Sequence, residues 1–412
     1  MLKDFKNDSL RKLIYYLRNT NFTALMQIVE RKLIAPYLSL RIPTSPQRVC
    51  LIISGCPGDS FRYRCEHQAA QLESLGLTND ICYASQIRDS AVVDRYQWFW
   101  LHRVAYSESI EALIEAAQRS SKPVVFDTDD LVFDEKVISY MRAIESMSKR
   151  EVDQVYARAR GYYKTLSRCN FATVSTEYLR EAVVNLFPDV RGFVTPNMLS
   201  DAQLDLAAQA LKSEDLGNPI DKRSVTIGYF SGTRTHNADF NECASALIRI
   251  LEAHPNVRLL LVGYLDVGRE FTGFGRRVTQ HRFVPWQRLS RLLSKVDINL
   301  APLEIDNPFT TCKSDLKYIE AAIMGIPTVA SAVGSFEKSI NHGENGFLCR
   351  TEEDWFNCLS RLVEDFALRH RMGKLAKELV RDARTIDRGA QHLSKTLLGS
   401  IKKYERSISD VG

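Results

Sequence analysis

The chain has 412 residues, 45% of them hydrophobic and 25% charged, and a net charge of +5. Such a length exceeds what one hydrophobic core serves, so two domains of ordinary folded, soluble composition are expected. Its nine cysteines are an odd number without a C-x-x-C pair or His/Cys metal spacing, which argues against a disulfide framework and against structural zinc.

Residues 1–46 read as a basic amphipathic extension. Residues 1–41 carry eight Lys or Arg against three Asp or Glu, which matches the whole chain's excess of positive charge. Leu10, Leu13, Ile14 and Leu17, then Leu25, Ile28, Val29 and Leu33, recur at helical spacing among Arg11, Lys12, Arg18, Arg31 and Lys32. The segment reads either as binding an anionic membrane surface or as packing against its own domain. No apolar run approaches the roughly 20 residues of a spanning helix, and no small-residue cleavage site of a secretory signal is evident, so a cytoplasmic protein, peripheral at most on the inner membrane face, is expected. Nucleic acid is not an expected partner, because the basic residues lack interleaved stacking aromatics.

From Arg48 the run VCLIIS predicts a strand, followed by a loop with Gly55 and Gly58 and a helix from about Arg62 to Leu75. Strand, glycine loop and helix open a doubly wound α/β domain, without the G-x-G-x-x-G of dinucleotide binding. Further strands are predicted at Asp80–Ala84, Trp98–Arg103, Val124–Asp127 and Asn170–Val174. This domain spans 47–197. Residues 198–223 read as a short helix and linker, and a second alternation over 224–385 begins with a strand at Val225–Tyr229. Strands RLLLVG and DINLAPL follow, then amphipathic helices at Glu352–Leu362 and Asp365–Ala383, and a last helix from about Gln391 to Ser407 within 386–412.

The most informative stretch is Lys313–Ala330, KSDLKYIEAAIMGIPTVA. Ser314 can cap a helix with Asp315 in its first turn, and Leu316, Ile319 and Ile323 form an apolar stripe. Lys313, Lys317 and Glu320 would share another face, suited to an anionic, hydroxyl-bearing ligand or simply solvated and ion-paired. Gly325 ends the helix, Pro327 forbids its continuation, and Thr328–Ala330 resumes as a strand.

Three loops at carboxyl ends of the predicted second-domain strands carry suitable groups, and open α/β sheets bind ligands there. In SGTRTHNADF, Gly232 and Thr233 allow close approach of backbone amides, and Arg234 offers a cationic fork for phosphate, with His236 and Asp239 beyond. Arg234 also reads as surface charge, His236 as a turn residue and Asp239 as a helix cap. Gly263 and Tyr264 offer a tight turn and an aromatic surface for a base or sugar. Asn307, Phe309, Thr310 and Thr311 lead into a helix N-terminus able to receive an anion. Arg234 and Lys313 would hold a diphosphate, and Glu320 would accept hydrogen bonds from ribose hydroxyls.

YFSGTRTHNADF, LLLVG, INLAPLEIDNPF, KSDLKYIEAAIMGIPTVAS and NHGENGFLC together carry a resemblance. Residues from about 48 to 400 resemble the GT-B-type nucleotide-sugar glycosyltransferases of glycosyltransferase family 4, in the branch with a KSxLKxxEAAxxGxPTVA core. The resemblance implies two Rossmann-like doubly wound domains facing a cleft, the donor bound by the C-terminal one and the acceptor by the N-terminal one. It also implies transfer with retention and a last helix that returns to the first domain. The family's second glutamate, usually the ribose ligand, matches Glu320, whereas Cys312 stands at the position of its first, usually the ligand of the transferred sugar. The sugar contact would then come from Asn307, Phe309, Thr310 or Thr311. The lysine usual after the first C-domain strand has no match near Asp239, and Lys313 is its candidate replacement.

In the first domain, VVFDTDDLVFD places Asp127 and Asp129 on one side of an extended segment and Asp130 on the other. Read as D-x-D, these carboxylates would grip a divalent metal; with Arg234 and Lys313 present, no metal or other cofactor is expected. Asp129 or Asp130 would bind or deprotonate an acceptor hydroxyl, or shape a turn. His102, Arg103, Gly55 and Gly58 are further acceptor-side candidates, and Arg62 and Arg64 read as donor-phosphate contacts or exposed charge. The reading is a retaining, metal-independent glycosyltransferase that uses a UDP- or GDP-sugar and a glycan or lipid-linked acceptor, in surface polysaccharide or glycoconjugate synthesis. A non-catalytic sugar-nucleotide-binding or scaffold relative, suggested by Cys312, and a sugar-nucleotide epimerase are the alternatives.

Overall fold

The computed structural model describes residues 48–215, 224–232 and 237–409. They divide into two compact units. The first comprises the described residues up to Asp201, with Asp306–Asp315 and everything from Arg381; the second comprises Ala202–Ile305 and Leu316–Val380.

The first unit is built on six parallel strands: β1 (Arg48–Ser54), β2 (Asn79–Tyr83), β3 (Tyr96–His102), β4 (Val124–Thr128), β5 (Phe171–Val174) and β6 (Arg191–Val194). Their order is β2-β1-β3-β4-β5-β6. A parallel sheet covered on both faces needs nearly continuous apolar strands, and YQWFWLH and VVFDT meet that demand, with only Gln97 exposed among them. Alternate residues serve opposite faces. Leu51, Ile53, Phe99, Leu101, Val124 and Phe126 pack beneath the helices Glu108–Arg119 and Glu177–Leu186. On the other face, Ile52, Trp98, Trp100, Val125 and Phe171 meet Leu72 of the helix His67–Ser74 and Leu393, Leu397 and Ile401 from the end of the chain. Those last residues belong to three consecutive helical segments, Ile386–Leu393, Ser394–Leu398 and Gly399–Ser409.

The second unit has strands β7 (Val225–Ser231), β8 (Val257–Gly263), β9 (Val278–His281), β10 (Ile298–Ala301), β11 (Thr328–Ser331) and β12 (Phe347–Cys349). All pairings are parallel, in the order β12-β11-β10-β7-β8-β9. Three strands escape the sequence reading: β6, β9 and β12. Each lies at a sheet edge, where one neighbour is missing, and each is only three or four residues long. No long apolar run is needed there, so none is written in the sequence.

The stretch around Lys313 differs from its predicted form. A single turn, Pro308–Thr311, ends at Cys312, and the helix begins only at Leu316 and runs to Ala322. Lys313 therefore precedes the helix and does not share a face with Lys317 and Glu320. Ser314 accepts a hydrogen bond from Asn197 Nδ2 at 3.1 Å, and buried Asp315 is bonded by Arg384 at 2.7 Å. These interactions hold Asp306–Asp315 in the first unit, although the sequence reading assigns those residues to the second domain. Helix, turn and strand then follow as expected, with Gly325 at φ 78°. Asn299 Nδ2 ties this piece to β10 by donating to Lys317 O at 3.0 Å and Thr328 Oγ1 at 3.1 Å.

Gly263 ends β8 at φ 103°, and a Cβ there would run into the carbonyl oxygen of Ser231 at the end of β7. Gly263→Ala combines a left-handed backbone with that collision and is expected to cost at least about 2 kcal/mol. A urea midpoint unchanged from the parent would contradict this account of the β7–β8 ends.

Candidate functional site

Both sheets offer a place where strand order reverses, and ligands of open α/β folds bind beyond the carboxyl ends of strands at such a point. In the first sheet the reversal lies between β1 and β3. In the second it lies between β7 and β10.

At the first reversal the register aligns Ser54 with His102, His102 with Asp127, and Asp127 with Thr173. Paired residues of a parallel sheet point to the same face, so these four form a polar row directly after the apolar ladder of Ile52, Trp100 and Val125. Arg64 closes the row from above. It lies in a turn of π type, Arg62–Glu66, that leads into the helix His67–Ser74. Arg64 is fully buried, contrary to the exposed charge or phosphate contact expected from sequence. Its Nε and Nη2 reach Asp127 Oδ2 and Oδ1 at 3.0 and 2.5 Å, and Nη1 reaches Thr195 O and Asn197 Oδ1 at 2.6 and 3.1 Å. Thr173 Oγ1 donates to Asp127 Oδ1 at 2.7 Å, and His102 Nδ1 lies 3.0 Å from Oδ2. Burial opposes ionisation of Asp127, but Arg64 and the bond from His102 outweigh it and pull its pKa down to about 2.

The proton on His102 follows from its neighbours. A carboxylate only accepts, so Nδ1 must donate to Asp127. Ser60 gives its hydroxyl proton to Asp129 Oδ1 at 2.7 Å, which leaves its oxygen, 3.1 Å from Nε2, as an acceptor for a second ring proton. An imidazolium is the form of His102 that donates to both Asp127 and Ser60. Burial disfavours that charge, but the Cys56 sulfur and the hydrogen bond to Asp127 override it and raise the pKa to about 9.

Asp129 and Asp130 do not diverge as strand alternation predicts. Strand β4 ends at Thr128, alternation ends with it, and both carboxylates reach Arg103 Nη2 at 2.5 Å. Burial resists ionisation of Asp129, yet the Arg103 and His102 charges lower its pKa. Arg103 has φ 45°, a strained setting for a non-glycine residue. Gly55 is pressed against it: its N–H donates to His102 O at 2.8 Å, and a Cβ would collide with the Arg103 carbonyl. Gly58 has φ 112°. The cluster sets three cations against three carboxylates, each carboxylate in contact with a guanidinium. Among the described residues no group of three or more His, Cys, Asp or Glu side chains is placed to hold a metal ion.

In the second unit, exposed Gly232 follows β7, while Thr233, Arg234 and His236 lie outside the described residues. Ser231 Oγ donates to Tyr264 O at 3.0 Å. Tyr264 is buried and its ring stacks on Phe283 with centroids 5.2 Å apart, so that face is already covered. Buried Asp239 accepts from Glu304 N at 3.1 Å and ties the helix Asn237–Ala253 to the segment after β10. Half-buried Glu320 lies on the helix Leu316–Ala322, and Lys317 Nζ stands 5.9 Å from the Tyr229 ring.

The Asn307–Thr311 loop is braced by its own hydrogen bonds. Asn307 Oδ1 takes the Phe309 N–H at 2.9 Å, and its carbonyl takes the Thr310 and Thr311 hydroxyls at 2.9 and 3.0 Å. Asn307 Nδ2 donates to Tyr140 O at 3.0 Å. Cys312 is buried in the first unit's apolar core beside Phe309, and burial raises its thiol pKa to about 12. A glutamate in that setting would be an unpaired charge among apolar groups. Lys313 Nζ lies 5.6 Å from the Phe309 ring centroid.

Comparison with known proteins identifies the second unit. Residues 224–365 match the family model described as glycosyl transferases group 1. Those residues are a group 1 glycosyltransferase domain. Among curated proteins, none matches the chain. Sucrose-phosphate synthase from Thermosynechococcus elongatus shares its fold, with 17% identity, a TM-score of 0.59, and coverage of 87% of this chain and 100% of that one. Anabaena Alr3699/HepE, solved with UDP-glucose, gives 16% identity and a TM-score of 0.57 over 85% of this chain and 100% of its own. A glycosyltransferase from Rickettsia africae gives 12% and 0.58 over 87% and 99%. At these identities the likeness is one of fold, and the fold is the GT-B type of the group 1 glycosyltransferases: two parallel six-stranded α/β sheets. Among the described residues no helix is long and apolar enough to cross a membrane.

Sequence reasoning named His102, Arg103, Asp127, Asp129 and Asp130, which the fold does bring together. It missed Ser60, Cys56 and the buried role of Arg64. Nothing local marks them, because each acquires its partner from a strand distant in sequence.

Proposed function

We propose that this group 1 glycosyltransferase transfers a sugar, with retention, from a nucleoside diphosphate sugar to a glycan or lipid-linked acceptor. The observation that carries the reading is the group 1 match over the whole second sheet, which includes the β7–β10 reversal and Glu320. Uridine is favoured over guanosine by the Anabaena protein of the same fold, which is in complex with UDP-glucose. Glu320 accepts the ribose hydroxyls, and Arg234 and Lys313 counter the charge of the departing diphosphate. Positive side chains make a divalent ion unnecessary for that task. On the acceptor side, Asp129 and Asp130, held by Arg103, accept a hydroxyl proton or orient the acceptor, and surface polysaccharide or glycoconjugate synthesis in the cytoplasm is the setting. Residues 1–46 then serve as a basic contact to an anionic membrane surface.

A thermal-shift screen against UDP, GDP, ADP and their sugars, with and without EDTA, tests this. A ligand at 100 times its Kd adds about 2.7 kcal/mol of stability by mass action. UDP or a UDP-sugar is expected to raise the midpoint irrespective of chelator, and Glu320→Gln to weaken binding about tenfold, as for loss of a charged hydrogen bond. No shift with any nucleotide would overturn the proposal, and a shift abolished by EDTA would overturn metal independence. Incubation with an acceptor panel, with the anomeric configuration of the product read by NMR, tests transfer and retention; binding without turnover would instead favour a scaffold.

A further inference from the structure

Of the nine cysteines, eight are buried and Cys56 alone is half-buried. It lies in the loop after β1, and that loop is fixed on three sides. Ser54 Oγ donates to Cys56 O at 2.8 Å, the Cys56 N–H reaches Ser54 Oγ at 3.3 Å, and Gly55 is clamped on the end of β3. The result sets Cys56 Sγ 3.5 Å from His102 Nε2, while His102 Nδ1 is 3.0 Å from Asp127 Oδ2. A nucleophile, an imidazole and an orienting carboxylate thus stand in line, the geometry shared by activated thiols on unrelated folds. Cys56 Sγ and Ser60 Oγ both lie within hydrogen-bonding reach of His102 Nε2, so a proton on that nitrogen faces the sulfur as well as the hydroxyl.

We propose that Cys56, backed by His102 and Asp127, is a modification site: a thiolate that reacts with hydroperoxides and other soft electrophiles. The titratable groups facing it are His102 at the end of β3 and Arg103 just after it, Asp129 after β4, Cys65 in the turn Arg62–Glu66, and Tyr162 of the helix Lys149–Leu166. Burial raises the pKa of both Cys65 and Tyr162, so those two stay neutral. Two cations then act on the sulfur against one carboxylate. Burial resists thiolate formation at Cys56, but His102 and Arg103 prevail and its pKa is lowered.

With hydrogen peroxide as oxidant, the thiolate attacks one peroxide oxygen, an S–O bond forms and the O–O bond breaks. Sulfur loses two electrons to the peroxide, and the departing hydroxide takes the Nε2 proton of His102 and leaves as water. Cys56 becomes a sulfenic acid and His102 a neutral imidazole. This chemistry is separate from sugar transfer and does not rest on the glycosyltransferase reading.

The test uses the full chain. Iodoacetamide alkylation of Cys56, located by peptide mass spectrometry, is timed between about pH 8 and pH 6. A free thiol of pKa about 8.5 loses its thiolate roughly 75-fold over that range. Cys56 is expected to slow less than about tenfold. His102→Gln is expected to restore the steep profile, and Cys56→Ser to remove both the alkylation and the dimedone-trapped sulfenic acid formed with dilute hydrogen peroxide. A decline of about 75-fold or more in the parent protein overturns the proposal even if His102→Gln does not fold. Failure of peroxide to give a trapped sulfenic acid at Cys56 overturns it as well.

Discussion

Arg64→Met is expected to destabilise the first unit by about 3–5 kcal/mol, the cost of removing one partner from a buried ion pair. The guanidinium has no contact with solvent, and it bonds both Asp127 oxygens together with Thr195 and Asn197. Methionine fills much of the volume but leaves the carboxylate with His102 as its nearest cation. Urea unfolding followed by tryptophan fluorescence reports on the site, because Trp98 and Trp100 lie in the apolar ladder just beneath it. The double variant Arg64→Met/Asp127→Asn should lose less than the sum of the two single changes, since it removes both charges together. A single variant within about 0.5 kcal/mol of the parent would contradict the account. The same ion pair fixes an acid limit. The pKa of Asp127 is lowered from 3.8 to about 2, so its contribution is complete above pH 4 and is lost as pH falls through 2. By linkage that amounts to about 2 kcal/mol, and Arg64→Met should abolish most of this acid dependence.

Arg234→Ala and Lys313→Ala are each expected to lower kcat about 10²-fold if they stabilise the leaving diphosphate, the scale of a lost preorganised charge in a transition state. A contact made more strongly in the transition state than in the ground state lowers kcat, whereas one that only holds the nucleotide raises KM. Steady-state kinetics with a donor identified by thermal shift separates the two. Lys313 carries the sharper test. It stands outside the helix, near the Phe309 ring, in the segment Asp306–Asp315 that belongs with the first unit. Near-normal kcat for both variants, with unchanged thermal midpoints, would remove the diphosphate assignment.

The amino-acid sequence by itself determined the parallel α/β alternation, because buried strands need continuous apolar runs and VCLIIS, WFWLH, VVFD and RLLLVG are such runs. It also determined the helix–turn–strand unit ending at Ala330, through Gly325 and Pro327, whose backbone demands are local. The edge strands β6, β9 and β12 were not legible, since a short strand with one neighbour needs no such run. Tertiary structure alone decided the rest. It turned Arg64 from an expected surface charge into the buried partner of Asp127, and Cys312 from a gap in a sugar site into a core side chain. It also set Cys56 against His102. Each outcome depends on strand order and register, which bring Ser54, His102, Asp127 and Thr173 into one row. Register is a property of the assembled sheet, and no single stretch of chain contains it.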